Sequence, residues 1–163
     1  LDDDGMEPDP ILIAVRIEVT GDRISIDFTG TAPQVKGAIN SALSFTKSAC
    51  FACLRCIMRA EIPTNSGFFR AIDIHVPEAT LPNPVMPAPV AARGLTGFRL
   101  ANAIMGAMAG LAPDRVPACE VGGDTGISIG GYRGDRLPMV NNLIPSHRVL
   151  CRISKRAARL HWR

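Results

Sequence analysis

A chain of 163 residues, 47% hydrophobic and 20% charged, has the composition of a globular fold and the length of one domain or a piece of a larger one. No apolar run approaches the roughly 18 residues of a membrane span, and the acidic opening Leu1–Gly5 lacks the charge and apolar stretch of a secretory signal. The formal charge of +3 is uneven: six of the 18 basic residues lie between Arg148 and Arg163 without an acid, so the first 147 residues carry 12 basic against 15 acidic groups, a net −3 that argues against a polyanion binder.

Residues 11–19 and 23–28 are rich in β-branched side chains and are separated by Thr20-Gly21-Asp22, the pattern of a β-hairpin. In the second run Ile24, Ile26 and Phe28 alternate with Arg23, Ser25 and Asp27, which predicts that Asp27 faces away from the packed side. Thr29-Gly30-Thr31 and Pro33 break the strand. From Ser41 to about Ala60 the period is helical, with Phe45, Ala49, Ala52, Cys56 and Met58 on the expected apolar face and Lys47, Arg55 and Arg59 on another. Asn40 or Ser41 is the expected N-cap, and Pro63 the stop.

Residues 71–76 alternate again and predict a short strand. The prolines at 77, 82, 84, 87 and 89 exclude a helix or a central strand and leave an ordered extended loop or a linker. A second helix is expected from about Thr96 to Leu111, with Phe98, Ala101, Met105, Met108 and Leu111 on its apolar stripe. Gly106 and Gly110 there suggest close packing against a neighbour. Ile127-Ser128-Ile129, in the glycine-rich stretch 121–134, reads as a strand. The fold class is thus mixed α/β (α+β): a hairpin and further short strands packed with two main helices, part of a larger domain.

Several blocks recur in a fixed order: Asp27-Phe28-Thr29-Gly30-Thr31-Ala32-Pro33-Gln34-Val35, then Gly37 and Asn40, Ile62-Pro63-Thr64-Asn65-Ser66-Gly67, Phe69-Arg70, Val76-Pro77-Glu78-Ala79-Thr80-Leu81, Asn83-Pro84, Pro87-Ala88-Pro89-Val90 and Leu111-Ala112-Pro113-Asp114-Arg115-Val116-Pro117-Ala118. The set resembles the middle of the hydantoinase B/oxoprolinase family over about residues 1–135. The resemblance implies a subunit of an ATP-dependent enzyme that opens hydantoin or 5-oxoproline rings, with ketone carboxylases among its relatives. It also implies a hydantoinase A-type partner that activates the cyclic amide with ATP by phosphorylating its carbonyl oxygen. In agreement, no G-x-x-x-x-G-K-[ST] loop occurs in the chain. ATP and a divalent metal are expected in the full complex and neither on this segment, whose metal ligands in relatives would lie upstream.

The candidate substrate-binding residues are Asp27, Thr29, Gly30, Asn40, Asn65 and Arg93; no catalytic residue is assigned. A carboxylate and hydroxyls beside a glycine can present donors and acceptors to a polar ring, or can cap a strand end. Asn40 and Asn65 can orient a substrate amide, or serve as a helix cap and a turn. Arg93 can fork onto a carboxylate or phosphate, or stand as a surface arginine. Asp124, in a glycine-rich loop with Thr125, can face a ligand, or be accounted for by loop chemistry alone.

Five cysteines, an odd number, do not form a secreted disulfide framework, and a cytoplasmic location is expected. Cys50, Cys53 and Cys56 have an iron–sulfur-like spacing, but Ala60 stands where a further ligand would, and the helical pattern makes them small buried residues. His75, His147 and His161 have no metal-ligand spacing, and Asp2-Asp3-Asp4 reads as a solvated turn.

Residues 1–140 form the expected partial family domain and 141–163 a basic tail outside the pattern. The tail reads as the product of a frameshift or gene decay, and the missing initiator Met as a start inside a longer frame or after processing. Such a fragment should be inactive alone and poorly soluble, with core faces exposed. The rival reading, from another class, is a non-catalytic adaptor whose tail forms a basic amphipathic helix for nucleic acid or a membrane surface.

Overall fold

The computed structural model describes residues 1–58 and 61–119, and the backbone of two further strands. The chain divides into two compact units, 1–122 and 123–163. In the first, strands β1 (Arg16–Thr20), β2 (Arg23–Asp27) and β3 (Ile72–His75) form one sheet in the order β1-β2-β3. β1 and β2 are antiparallel and joined through Gly21, whose φ of 60° suits the first central position of a tight hairpin turn. β2 and β3 are parallel, so the chain must cross over between them. Helices α1 (Leu43–Ile57) and α2 (Ser66–Arg70) lie in that crossover, and α3 (Arg93–Ala109) follows β3.

The alternation in β2 resolves as expected: Ile26 and Phe28 are fully buried, and Arg23 and Ser25 are exposed. They pack with Cys50, Leu54 and Ile57 of α1 and with Leu100, Ile104 and Met108 of α3. Both helices exist where periodicity placed them, but their buried faces differ from the expected ones. In α1 the buried residues are Thr46, Cys50, Cys53, Leu54 and Ile57, while Ala52 and Cys56 are exposed. In α3 they are Thr96, Gly97, Leu100, Ile104 and Met108, and Leu111 is outside the helix and half exposed. Both helices carry apolar residues on nearly every side, so the contact between them, rather than the period, selects the face.

That contact depends on Gly97. A Cβ there would lie 2.5 Å from Phe45 Cε1, so the small residue lets the helices close together. Gly106 and Gly110, expected to do this, meet no neighbouring element in this unit. The first helix begins at Leu43 after Ala42, with no side-chain cap from Asn40 or Ser41. It ends at Ile57, before Pro63; Arg59 and Ala60 lie outside the described residues. The second starts at Arg93, three residues earlier than expected.

Of the two readings of the proline-rich stretch, the ordered loop is the one found, with Met86–Pro87 in cis. Together with residues 1–15 and 28–41 it builds a second layer around a small cluster of Ile11, Ile39 and Leu81. In the second unit, β4 (Ile127–Tyr132) and β5 (Pro138–Leu143) pair as an antiparallel hairpin, one strand of it around the expected Ile127-Ser128-Ile129. Asp124 and the expected amphipathic tail helix lie outside the described residues. Among the described residues no helix is long and apolar enough to cross a membrane.

Candidate functional site

The outer face of the three-stranded sheet is polar. Register places Arg16, Asp27 and His75 side by side across the three strands, at the carboxyl ends of the parallel pair β2 and β3. Here the backbone turns sharply: Thr31 N–H donates to the Phe28 carbonyl (3.1 Å), and Gly30 adopts φ 92°, a conformation that favours glycine. Asp27 Oδ1 accepts from the Thr29 hydroxyl at 2.7 Å and from the Thr29 N–H at 2.9 Å. These bonds, with His75 and Arg16 nearby, hold the Asp27 carboxyl below its ordinary value. The carboxylate is therefore ionised at neutral pH and half exposed, and both Thr29 bonds fall on Oδ1, which leaves Oδ2 as an acceptor. Thr31 faces inward instead: its hydroxyl donates to the Ala14 carbonyl and accepts the Ala14 N–H, pinning the turn to the segment before β1.

Behind the turn, Asn40 is fully buried and its amide is completely engaged. Its Oδ1 accepts the Val35 N–H (2.8 Å), and its Nδ2 donates to the carbonyls of Val35, Gly37 and Pro89. It thus ties the loop leaving β2 to the loop leaving β3, and offers no group to a ligand. Asp4 makes a second tie, with Oδ1 accepting from Met6 and Glu7 and Oδ2 from Gly37, 33 residues away. These N–H groups, Glu7 first, lower its pKa. The Asp2-Asp3-Asp4 stretch is therefore a turn, as expected, that also clasps a distant loop. Gly37 is required there, since a Cβ would collide with the Asp4 backbone carbonyl.

The six candidate residues do not converge. Asp27, Thr29 and Gly30 form one turn, and Asn40 lies in the loop layer behind it. Arg93 is the first residue of α3; its guanidinium stacks 5.6 Å from the Phe45 ring centroid. That stacking offsets the unfavourable position of a cation at a helix N-terminus. Asn65 caps α2, its Oδ1 accepting from Gly67 and Phe68, at the amino end of β3 and so at the opposite end of the sheet from the Asp27 turn. Sequence reasoning missed Arg16 and His75 beside Asp27, because nothing local announces that residues 27 and 75 are paired; the alternation of AIDIHV was the one usable signal.

No three His, Cys, Asp or Glu side chains among the described residues are placed to hold a metal ion. Cys50 and Cys53 are buried in the core, and desolvation pushes their thiols up to about 12 and about 11, while Cys56 is exposed. Buried in this way, Cys50 and Cys53 serve as packing residues of the core.

A small mixed sheet, with two helices on one side and an ordered loop layer at the carboxyl ends of its parallel strands, defines a module of a larger α/β protein. The family model for hydantoinase B/oxoprolinase matches residues 1–147, and the chain belongs to that family. A D-/L-hydantoinase B-type subunit of Pseudomonas sp. (strain NS671) is 38% identical over 125 residues, 72% of this chain and 21% of the relative. The 5-oxoprolinase of Saccharomyces cerevisiae (strain ATCC 204508 / S288c) is 33% identical over 96 residues, 58% of this chain and 8% of that protein. The crystal structure of ATP-dependent caprolactamase from Pseudomonas jessenii shares the fold, with a TM-score of 0.65 and 26% identity over 80% of this chain and 23% of that one. The chain spans about a fifth of the length of the Pseudomonas hydantoinase relative it matches.

Proposed function

We propose that the chain is a segment of a subunit of an ATP-dependent cyclic-amide hydrolase of the kind that opens hydantoin or 5-oxoproline rings. Family membership over residues 1–147 carries this reading. A hydantoinase A-type subunit supplies the ATP chemistry, and the ligands of a divalent metal lie in the part of the B-type subunit upstream of this segment. A cyclic amide resists water because its nitrogen lone pair is delocalised into the carbonyl. Phosphoryl transfer from ATP to the carbonyl oxygen, which releases ADP, makes the carbon electrophilic. Water then adds, and the ring nitrogen takes up a proton as the C–N bond breaks. A second water hydrolyses the resulting acyl phosphate to carboxylate and inorganic phosphate.

In that reaction the Asp27 turn is the part of this segment offered to the substrate. It lies at the carboxyl ends of the parallel strands, where open α/β sheets bind ligands. The ionised Asp27 carboxylate is suited to accept a ring N–H. Thr29 and the Gly30 turn hold that carboxylate in place, and Asn40 and Asp4 act through the loops they tie down.

The test grafts residues 1–119 of this chain into a hydantoinase B-type subunit and assays ring opening with the A-type subunit, ATP, and hydantoin, 5-oxoproline or caprolactam. The folded graft is expected to retain ATP-dependent turnover, and the isolated chain to show little or none. Within the graft, Asp27→Ala should lower turnover about ten- to a hundredfold, the loss of one hydrogen bond to a charged group. A folded graft that opens none of the rings would overturn the proposal.

A further inference from the structure

On the helical side of the sheet the apolar surface is unfinished. Two adjoining hollows of about 420 and 370 Å³ open where the end of α1, the segment after it and the strands β2 and β3 meet. Ile24, Met58 and Ile62 line both, with Phe68 in one and Met108 in the other. The charged residues on their walls are Asp22 and Arg115, one in each. Helix α3 borders the same region. From Leu100 to Pro113 the sequence has no charged residue, the pattern of a helix buried on every side. Yet Leu111 is 51% exposed, and the space over Gly106 is open.

Elsewhere on α3, the side-chain nitrogen of Asn102 is shielded from water and has no hydrogen-bond partner among the described residues. Native folds give such donors an acceptor. By packing and by hydrogen bonding, this helix is short of neighbours among the described residues.

The relatives indicate how much polypeptide is available to cover it. The matched segment is 21% of the Pseudomonas hydantoinase relative and 23% of the caprolactamase. Charge-poor apolar surfaces belong to permanent packing, whereas surfaces that meet separable partners keep a more polar composition. We propose that the groove of Ile24, Met58, Ile62 and Met108 receives an apolar segment of the hydantoinase B-type subunit from outside the matched region. The helical side then faces the interior of that subunit, and the polar sheet face with Asp27 and His75 faces a cleft or solvent. This inference rests on the family membership and is independent of whether the Asp27 turn binds substrate.

The experiment places a benzophenone amino acid at position 58 of the same graft, irradiates the assembled complex and maps the cross-linked peptides. The expected product is a cross-link within the grafted polypeptide itself, to a peptide outside the grafted segment. Cross-links to the A-type subunit or to a second copy, or none at all, would overturn the inference. A second measurement uses the 163-residue chain alone. Met58→Asp with Ile62→Asp should cut binding of a hydrophobic dye severalfold while circular dichroism is unchanged. Unchanged dye binding by the folded double variant counts against the groove; Met58→Gln with Ile62→Gln gives the same reading if the charged pair unfolds.

Discussion

The helix-backed core and the loop layer of the first unit are held by different forces. The core gathers twelve buried hydrophobic residues from β2, β3, the residues just after them and the three helices. Its cohesion comes from area removed from water and from close packing, neither of which is directional. The loop layer has a buried cluster of three residues, Ile11, Ile39 and Leu81, and relies instead on side chains that bond to backbone elsewhere in the layer: Asn40 to Pro89, Asp4 to Gly37, Gln34 to Val85 and Asn83 to Val76. A core tolerates exchange among apolar residues of similar volume, whereas a hydrogen-bonded layer fails at single positions without substitutes.

The largest effect that would sharpen this contrast is expected from Leu100→Ala. Leu100 is fully buried between α3 and α1, and its truncation should lower unfolding free energy by roughly 2–5 kcal/mol. Urea unfolding measures this, and a midpoint shift with unchanged slope would confirm that the core unfolds as one body. Asn40→Ala should cost about 1–3 kcal/mol by stranding buried backbone groups. Its signature is local: faster hydrogen exchange at Val35, with the amides of α1 unaffected. If the α1 amides exchange faster by the same factor, the two layers are one cooperative unit and the comparison fails. Asn65→Ala removes the cap of α2 and should cost about 1 kcal/mol, read in the same urea titration.

The smallest effect is electrostatic. Asp4 has a folded pKa below its unfolded value, so it stabilises the clasp above the unfolded pKa, and that contribution is lost as pH falls through the folded pKa. Protection of the Gly37 amide should therefore fall as the solution is made more acidic than about pH 4. In Asp4→Asn that dependence should flatten.

The same division explains what could be read from the chain. Apolar periodicity located both main helices, the hairpin and the strand at residues 72–75. It misjudged the faces of α1 and α3 because Ala52, Cys56 and Met105 are as apolar as the residues that are buried. Only the fit of Phe45 against Gly97, between helices some fifty positions apart, decides which side turns inward. The loop layer had no period to read. Asn40 is a helix cap by local logic, and its actual partner at Pro89 is set by the parallel pairing of β2 with β3. The candidate site was legible in the same measure: the Asp27-Thr29-Gly30 turn is local and was found, whereas its neighbours Arg16 and His75 arrive by strand register.

The Asn40 tie also separates two loops that look alike in composition. Between Val35 and Asn40 the spacing is fixed, because the Asn40 amide must reach back to Val35 and Gly37 and across to Pro89 at once. Between Val85 and Pro89 the chain bulges outward, and Met86 is 90% exposed. Extra residues inserted beside Met86 would spill into open space, whereas even one added before Asn40 would pull the amide out of reach. Length variation among proteins built on this module should therefore collect at the second loop and be absent from the first.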